Sequence, residues 1–242
     1  VQLAGGELTL SAAANQLATL GLNSSGSGAN TVYLTHNPNV LNVTGAQNLT
    51  LSGALGNFHG DSVSNGLTGG AALTVQNTSA LTGAVDLNQV AVRNYVLAAD
   101  SGGQTLTLPS GAMSVRLNHS TAHAATFAAG SGALANNQLD IAVTQAYGAG
   151  ALNASGYGSV KITDASSNAQ TLSNANFGAA ALSLSGNQNY TFAGSLTAGD
   201  VDASKLTGIA KLSITDFSNS TATRSTLTGT ANNDTIVIAN NP

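Results

Sequence analysis

Leu139-Asp-Ile141, Val160-Lys-Ile162 and Leu182-Ser-Leu184 decide how this chain folds. Each is an apolar-polar-apolar triplet, and the triplets follow one another at a nearly constant interval. Alternation with period two is the signature of a strand buried on one face. Repetition at an interval of about 20–50 residues is the signature of stacked repeats. The same triplet recurs outward in both directions, from Leu8-Thr-Leu10 through Val32-Tyr-Leu34, Leu49-Thr-Leu51 and Leu73-Thr-Val75 to Leu212-Ser-Ile214 and Ile236-Val-Ile238. The steps from Leu8 to Val32, Leu49 to Leu73, Val115 to Leu139 and Leu212 to Ile236 are all equal, slightly longer than the steps from Leu139 to Val160 and on to Leu182. Clusters of Gly, Asn, Ser and Asp stand between the triplets, where turns are required.

This pattern predicts an all-β fold, a parallel β-solenoid of the β-roll or β-helix kind. Tandem β-sandwiches are the alternative, with similar strand content and different connectivity. A rung of about 20–24 residues gives roughly ten rungs, which at about 4.8 Å each make a rod about 50 Å long. The spacing slips between Val32 and Leu49 and again near residues 85–115, where loops or a change of subdomain are expected. The chain therefore divides into residues 1–110 with irregular rungs, 111–228 with regular ones, and 229–242. Helix is scarce. Ser11 to Leu22 reads either as a short capped helix or as a turn-rich entry to a strand. The Asn pairs and neighbours at Asn136-Asn137, Asn187, Asn189, Asn232-Asn233 and Asn240-Asn241 are expected at corners, where stacked amides can form ladders.

Composition supports a thin core. Of 242 residues, 42% are apolar but only 4% aromatic, and there is no Trp. Charged residues are 7% of the chain, against roughly 25% in an average soluble domain. The six basic residues are scattered, so no cationic footprint for nucleic acid is present. With no Cys, disulfides and thiolate metal sites are excluded. Apolar runs are broken well before the length of a membrane span. Val1 in place of Met, with no signal peptide, reads as a processed chain or a fragment of something longer.

Two stretches near the C-terminus carry a family resemblance: Asp200-Val-Asp-Ala-Ser-Lys-Leu-Thr-Gly208 and Gly229-Thr-Ala-Asn-Asn-Asp-Thr-Ile-Val237. The second resembles the opening of an RTX-type calcium repeat, with Gly229, Asp234 and Ile236 in place and Thr230 and Asn232 where glycines are usual. Together they resemble calcium-dependent S-layer and related secreted surface proteins of Gram-negative bacteria. The resemblance is confined to this C-terminal region and implies a self-assembling structural protein of a bacterial surface layer or extracellular fibre, exported by type I secretion. It implies copies of the chain as partners, with cell-surface polysaccharide as a further one, and no enzymatic activity. An adhesin module is the second reading, favoured if Tyr33, Tyr95, Tyr147, Tyr157 and Tyr190 share an exposed face.

The resemblance also implies Ca2+, for which oxygen ligands are needed. Asp234 and Asn232 are the first candidates, then Asp200 and Asp202, two apart on one strand face, and Asp216 after a strand. Solitary Asp residues at turns also cap backbone N–H groups, which is the competing role. Other motifs are weaker. His119-Ser-Thr-Ala-His123 has the spacing of a zinc pair but lacks the Glu. Gly60-Asp-Ser62 beside His59 lacks a third group to hold a catalytic base. Gly130-Ser-Gly132-Ala-Leu-Ala135 imitates a dinucleotide loop but reads as a turn, because the required acidic residue is missing about 20 positions later. A polysaccharide-active β-helix enzyme is the remaining catalytic reading; it needs charges that only stacking can bring together.

Overall fold

The computed structural model describes residues 1–10, 18–36, 38–120, 122–148, 150–219 and 225–238. Each circuit of the chain lays one strand on a long sheet and then another on the opposite side, so that strands pair with alternate rather than successive neighbours. The result is a parallel β-solenoid of about 11 turns. The long sheet has 11 strands and runs from Gly6–Leu10 to Leu227–Thr228. Facing it are a four-stranded sheet, from Gln2–Leu3 to Ser62–Leu67, and a nine-stranded sheet, from Val85–Asp86 to Thr235–Ile238. The named strand pairs are parallel, which separates this fold from antiparallel sandwiches. Among the described residues, no helix is long and apolar enough to cross a membrane.

Register explains the irregular spacing. Val32 pairs with Leu51, whereas Leu49 pairs with Leu73, so the first of these circuits is the shorter. The slip expected between Val32 and Leu49 is therefore a shorter circuit, not a break. Residues 85–115 do hold a change, on one side only. There the nine-stranded sheet takes over from the four-stranded one, with Val63 bridging to Val90. The long sheet continues through this region, Asn94–Leu97 pairing with Ala112–Leu117 across residue 110. Residues 11–17 of the stretch considered for a helix lie outside the described residues. Its remainder enters the strand Thr19–Ser24, where Leu20 and Leu22 are buried in alternation with exposed Thr19 and Gly21. Period two wins over helix propensity because the alternating leucines reach the core only as a strand.

The inward residues of the triplets stack into continuous rows. Leu51, Val75, Tyr95, Val115, Ile141, Ile162 and Leu184 follow one another in register and are all buried. Aromatic rings add bulk to the core: Phe58, Phe127, Tyr147, Phe177, Tyr190 and Phe192 are also buried. Burial pushes the Tyr95, Tyr147, Tyr157 and Tyr190 hydroxyls well above their ordinary pKa, so these remain neutral.

Corners are fastened by buried amides. The Asn137 Oδ1 accepts the Gly111 N–H at 2.7 Å from the preceding circuit, and its Nδ2 donates to the Gly156 carbonyl of the next at 2.8 Å. Asn30 accepts from Gly5 N–H, and the Gln170 Oε1 accepts from Tyr147 N–H, each at 2.8 Å. These contacts differ from the expected ladder. Asn189 and Asn232 likewise bond to backbone, at Lys211 N–H and the Ala210 carbonyl. Circuits of unequal length put successive corners out of step, so an amide meets a neighbour's main chain. Asn240 and Asn241 lie outside the described residues.

Candidate functional site

The structure distributes the five candidate calcium ligands over three places. Asp234 and Asn232 occupy the turn before the last strand, Asp216 lies on the nine-stranded sheet in register with Ser195, and Asp200 and Asp202 lie at the long sheet. Among the described residues, no group of three or more His, Asp or Glu side chains converges as a metal site would need. Asp234 itself serves as a clamp. Its Oδ1 accepts the Leu212 N–H at 2.8 Å and the Thr230 hydroxyl at 2.7 Å, while its Oδ2 accepts the Thr230 N–H at 2.6 Å. Asn232 completes the clamp by donating to the Gly208 and Ala210 carbonyls. Burial alone would raise the Asp234 pKa. The hydrogen bonds from Leu212 and Thr230, with the nearby Lys211 charge, outweigh it and hold the carboxyl below the ordinary range. Donor hydrogens from Leu212 and Thr230 thus meet both carboxylate oxygens, the capping role open to an Asp at a turn. Asp200 accepts Thr226 N–H at 2.6 Å and Asp202 accepts Ser204 N–H at 2.9 Å, each through Oδ1.

Asp200 and Asp202 belong instead to a different arrangement. The polar middle residues of the triplets face outward, and parallel register puts them in one row: Asn94, Ser114, Asp140, Lys161, Ser183, Asp202 and Thr228. A groove of about 550 Å³ runs along the C-terminal part of this row and is lined by Asp140, Lys161, Asp200, Asp202 and Lys205, among others. A smaller one of about 190 Å³ adjoins it, shares Gln138 and Asp140, and adds Arg93. Together they form a trough crossing seven strands, roughly 29 Å at about 4.8 Å per strand. The chain has only six basic and ten acidic residues, and three of each line this trough. The Arg93 guanidinium is fixed to the Ser110 carbonyl at 2.8 Å. Hydrogen bonds from the Ser204 side chain and N–H hold the Asp202 carboxyl below the ordinary range, and Lys205 adds to this. At the floor, the Ser183 hydroxyl has no hydrogen-bond partner in the protein.

Asp140, Lys161 and Lys205 are not legible as a site in the sequence, where they stand far apart. For Asp140 and Lys161 the signal is present in the triplets, whose middle positions share a row once the circuit length is fixed, whereas Lys205 pairs with Ser185 off that row. Asp140 and Asp202 are three strands apart, roughly 14 Å, farther than the about 5–5.5 Å or 6.5–9.5 Å of glycosidase carboxyl pairs. Asp200 and Asp202 stand closer.

The histidine motifs resolve separately. His119 Nδ1 contacts the Ser120 carbonyl, while His123 Nδ1 sits 3.0 Å from Asp100 Oδ2, so the two rings have different partners. His59 Nδ1 accepts the Asp86 N–H at 2.9 Å, which removes that nitrogen as a base for Ser62. Gly130–Ala135 leads into a 3-10 turn at Leu134–Asn136, as expected of a turn. Tyr95, Tyr147, Tyr157 and Tyr190 are buried, and Tyr33 alone of the five is exposed, so no shared tyrosine face forms.

Asp100 offers a pH test of the corners. Burial raises its pKa, but N–H groups of Ala122, Gly102 and His123 and the His123 ring prevail and bring it to about 2. A carboxylate depressed in the folded state stabilises above its unfolded value of 3.8 and loses that contribution as pH falls through about 2. Thermal melts should therefore show the wild type losing stability between about pH 4 and pH 2 more steeply than Asp100→Asn. Parallel curves for the two proteins would remove Asp100 from the account.

No family model, curated protein or solved structure matches this chain.

Proposed function

We propose that this chain is a structural, self-assembling module of an extracellular bacterial surface layer or fibre. The observation that carries the reading is the outward row Thr31, Thr50 and Thr74 on the long sheet, uncharged across three consecutive strands. Hydroxyl side chains at a constant interval present neutral hydrogen-bonding groups to a neighbouring copy. Association through such groups depends weakly on salt, because few charges are available to be screened. The rigid parallel stack supports the same reading, since a lattice needs units that hold their shape. The buried tyrosines disfavour an adhesin that grips through an aromatic face. Cell-surface polysaccharide is the proposed anchoring partner.

Calcium belongs to this proposal as a ligand of the assembly, with Asp234 and Asn232 as the first candidate ligands. Electron microscopy of the purified chain, with calcium and with a chelator, tests both parts. Ordered sheets or fibres that dissolve on chelation are the expected result. Assembly that ignores the chelator would retain the structural role and discard calcium. Particles that stay monomeric in both conditions would overturn self-assembly.

A further inference from the structure

We infer that the mixed-charge trough on the long sheet is a binding site for a linear, hydroxyl-rich glycan strand that lies along the stack axis. The trough gathers Arg93, Asp140, Lys161, Asp200, Asp202 and Lys205 on one face of a chain poor in charge, with only six basic and ten acidic residues in all. A merely solvated surface does not require that concentration. The six formal charges sum to zero, so the trough does not attract a polyanion such as nucleic acid, whose phosphates need a basic surface.

The geometry selects among neutral occupants. A second copy presenting the same face would set a concave surface against a concave surface and leave the trough unfilled. An extended peptide binds a sheet through backbone groups at an edge, whereas the strands under most of the trough already pair on both sides, and the one edge strand there, Leu227–Thr228, is only two residues long. Sugar hydroxyls both donate and accept, which suits a trough that holds ammonium, carboxylate and hydroxyl groups side by side. Lys161 and Lys205 donate, Asp140 and Asp202 accept, and the Ser183 hydroxyl lacks a partner between them. The row repeats at about 4.8 Å, close to the rise of one sugar in an extended chain. Among the described residues, no exposed aromatic side chain lines the trough, so recognition rests on charge-assisted hydrogen bonds, the stronger kind.

The proposal gives the surface-layer reading its anchoring partner and rests on that reading only for its biological setting. Binding is measured apart from assembly. The probes are a panel of linear hexasaccharides comprising neutral, N-acetylated, polyuronate and polyamine members, assayed on an array and then by titration calorimetry. Neutral or N-acetylated members are expected to bind with little salt dependence. Lys161→Ala and Asp140→Ala should each weaken binding at least tenfold, while Thr107→Ala, on the nine-stranded sheet opposite the trough, should leave it unchanged. Circular dichroism of each variant establishes that it is folded. Electron microscopy of Lys161→Ala should show assembly intact, which keeps failure of this site distinct from failure of the scaffold reading. No binding by any member, binding confined to the polyuronate, or binding indifferent to both substitutions would overturn the proposal.

Discussion

Replacing Phe127 by alanine is expected to cost about 3–5 kcal/mol of folding stability, the range for removing a buried aromatic ring. Phe127 is fully buried on the nine-stranded sheet, with Leu106 in register on one side and Ala154 on the other. The small Ala154 side chain leaves the ring to fill that level of the core. After the substitution two alanines stack in succession, and the rigid strands on either side cannot close the gap. In a solenoid, each turn is held by its interfaces with the turns before and after it. The cavity therefore weakens two interfaces in the middle of the rod. Guanidinium denaturation should show a lower midpoint and a broader or split transition as the two halves begin to melt separately. Phe127→Leu should recover most of the loss. An unchanged midpoint in the alanine variant would contradict the packing described for this level.

Gly45→Ala is expected to be comparably severe for a different reason. Gly45 has a φ of 119°, a backbone conformation that costs a residue with a side chain about 1–3 kcal/mol. An added Cβ would also stand 1.9 Å from the Ser24 carbonyl oxygen and 2.6 Å from its carbon, both main-chain atoms of the preceding circuit. That carbonyl accepts N–H groups from Ala46 at 2.9 Å and Gln47 at 3.2 Å. Relieving the clash separates Ser24 from Gly45 and loosens both bonds, each worth about 1 kcal/mol. Hydrogen exchange should therefore quicken first at Ala46 and Gln47. Gly56→Ala is the control. Nothing lies within 4 Å of its added Cβ, and its loss should stay within about 0.5 kcal/mol. Equal melting temperatures for the Gly45 variant and the wild type would refute the close approach of these two turns.

The parallel stack can be read from the sequence because alternation and recurrence are local facts: Leu139-Asp-Ile141 and Val160-Lys-Ile162 announce both their burial and their interval. Circuit lengths are less legible. Corners absorb extra residues without disturbing the strands, so the short step from Val32 to Leu51 resembles a discontinuity until the pairing is known. The stretch Ala18–Leu22 is ambiguous because Ala and Leu favour helix while the leucines sit two apart, and only the core resolves that conflict. The trough lies further out of reach. Asp140, Lys161 and Lys205 carry no motif, and their proximity exists only through register. In the other direction, Asp234 reads as a cation ligand by its position in a repeat, yet Leu212 and Thr230 supply it with donors that no motif records.

The variable circuits have one more consequence. Each turn adds the same rise whether its circuit is as short as that from Val32 to Leu51 or as long as that from Ala112 to Gln138. Length along the axis is thus counted in turns, not in amino acids. A gene for such a rod can gain or lose residues at a corner and leave its reach unchanged, whereas duplicating one whole circuit lengthens it by a single fixed step of about 4.8 Å. The protein behaves as a ruler with discrete graduations, one that insertion and deletion can redecorate without recalibrating.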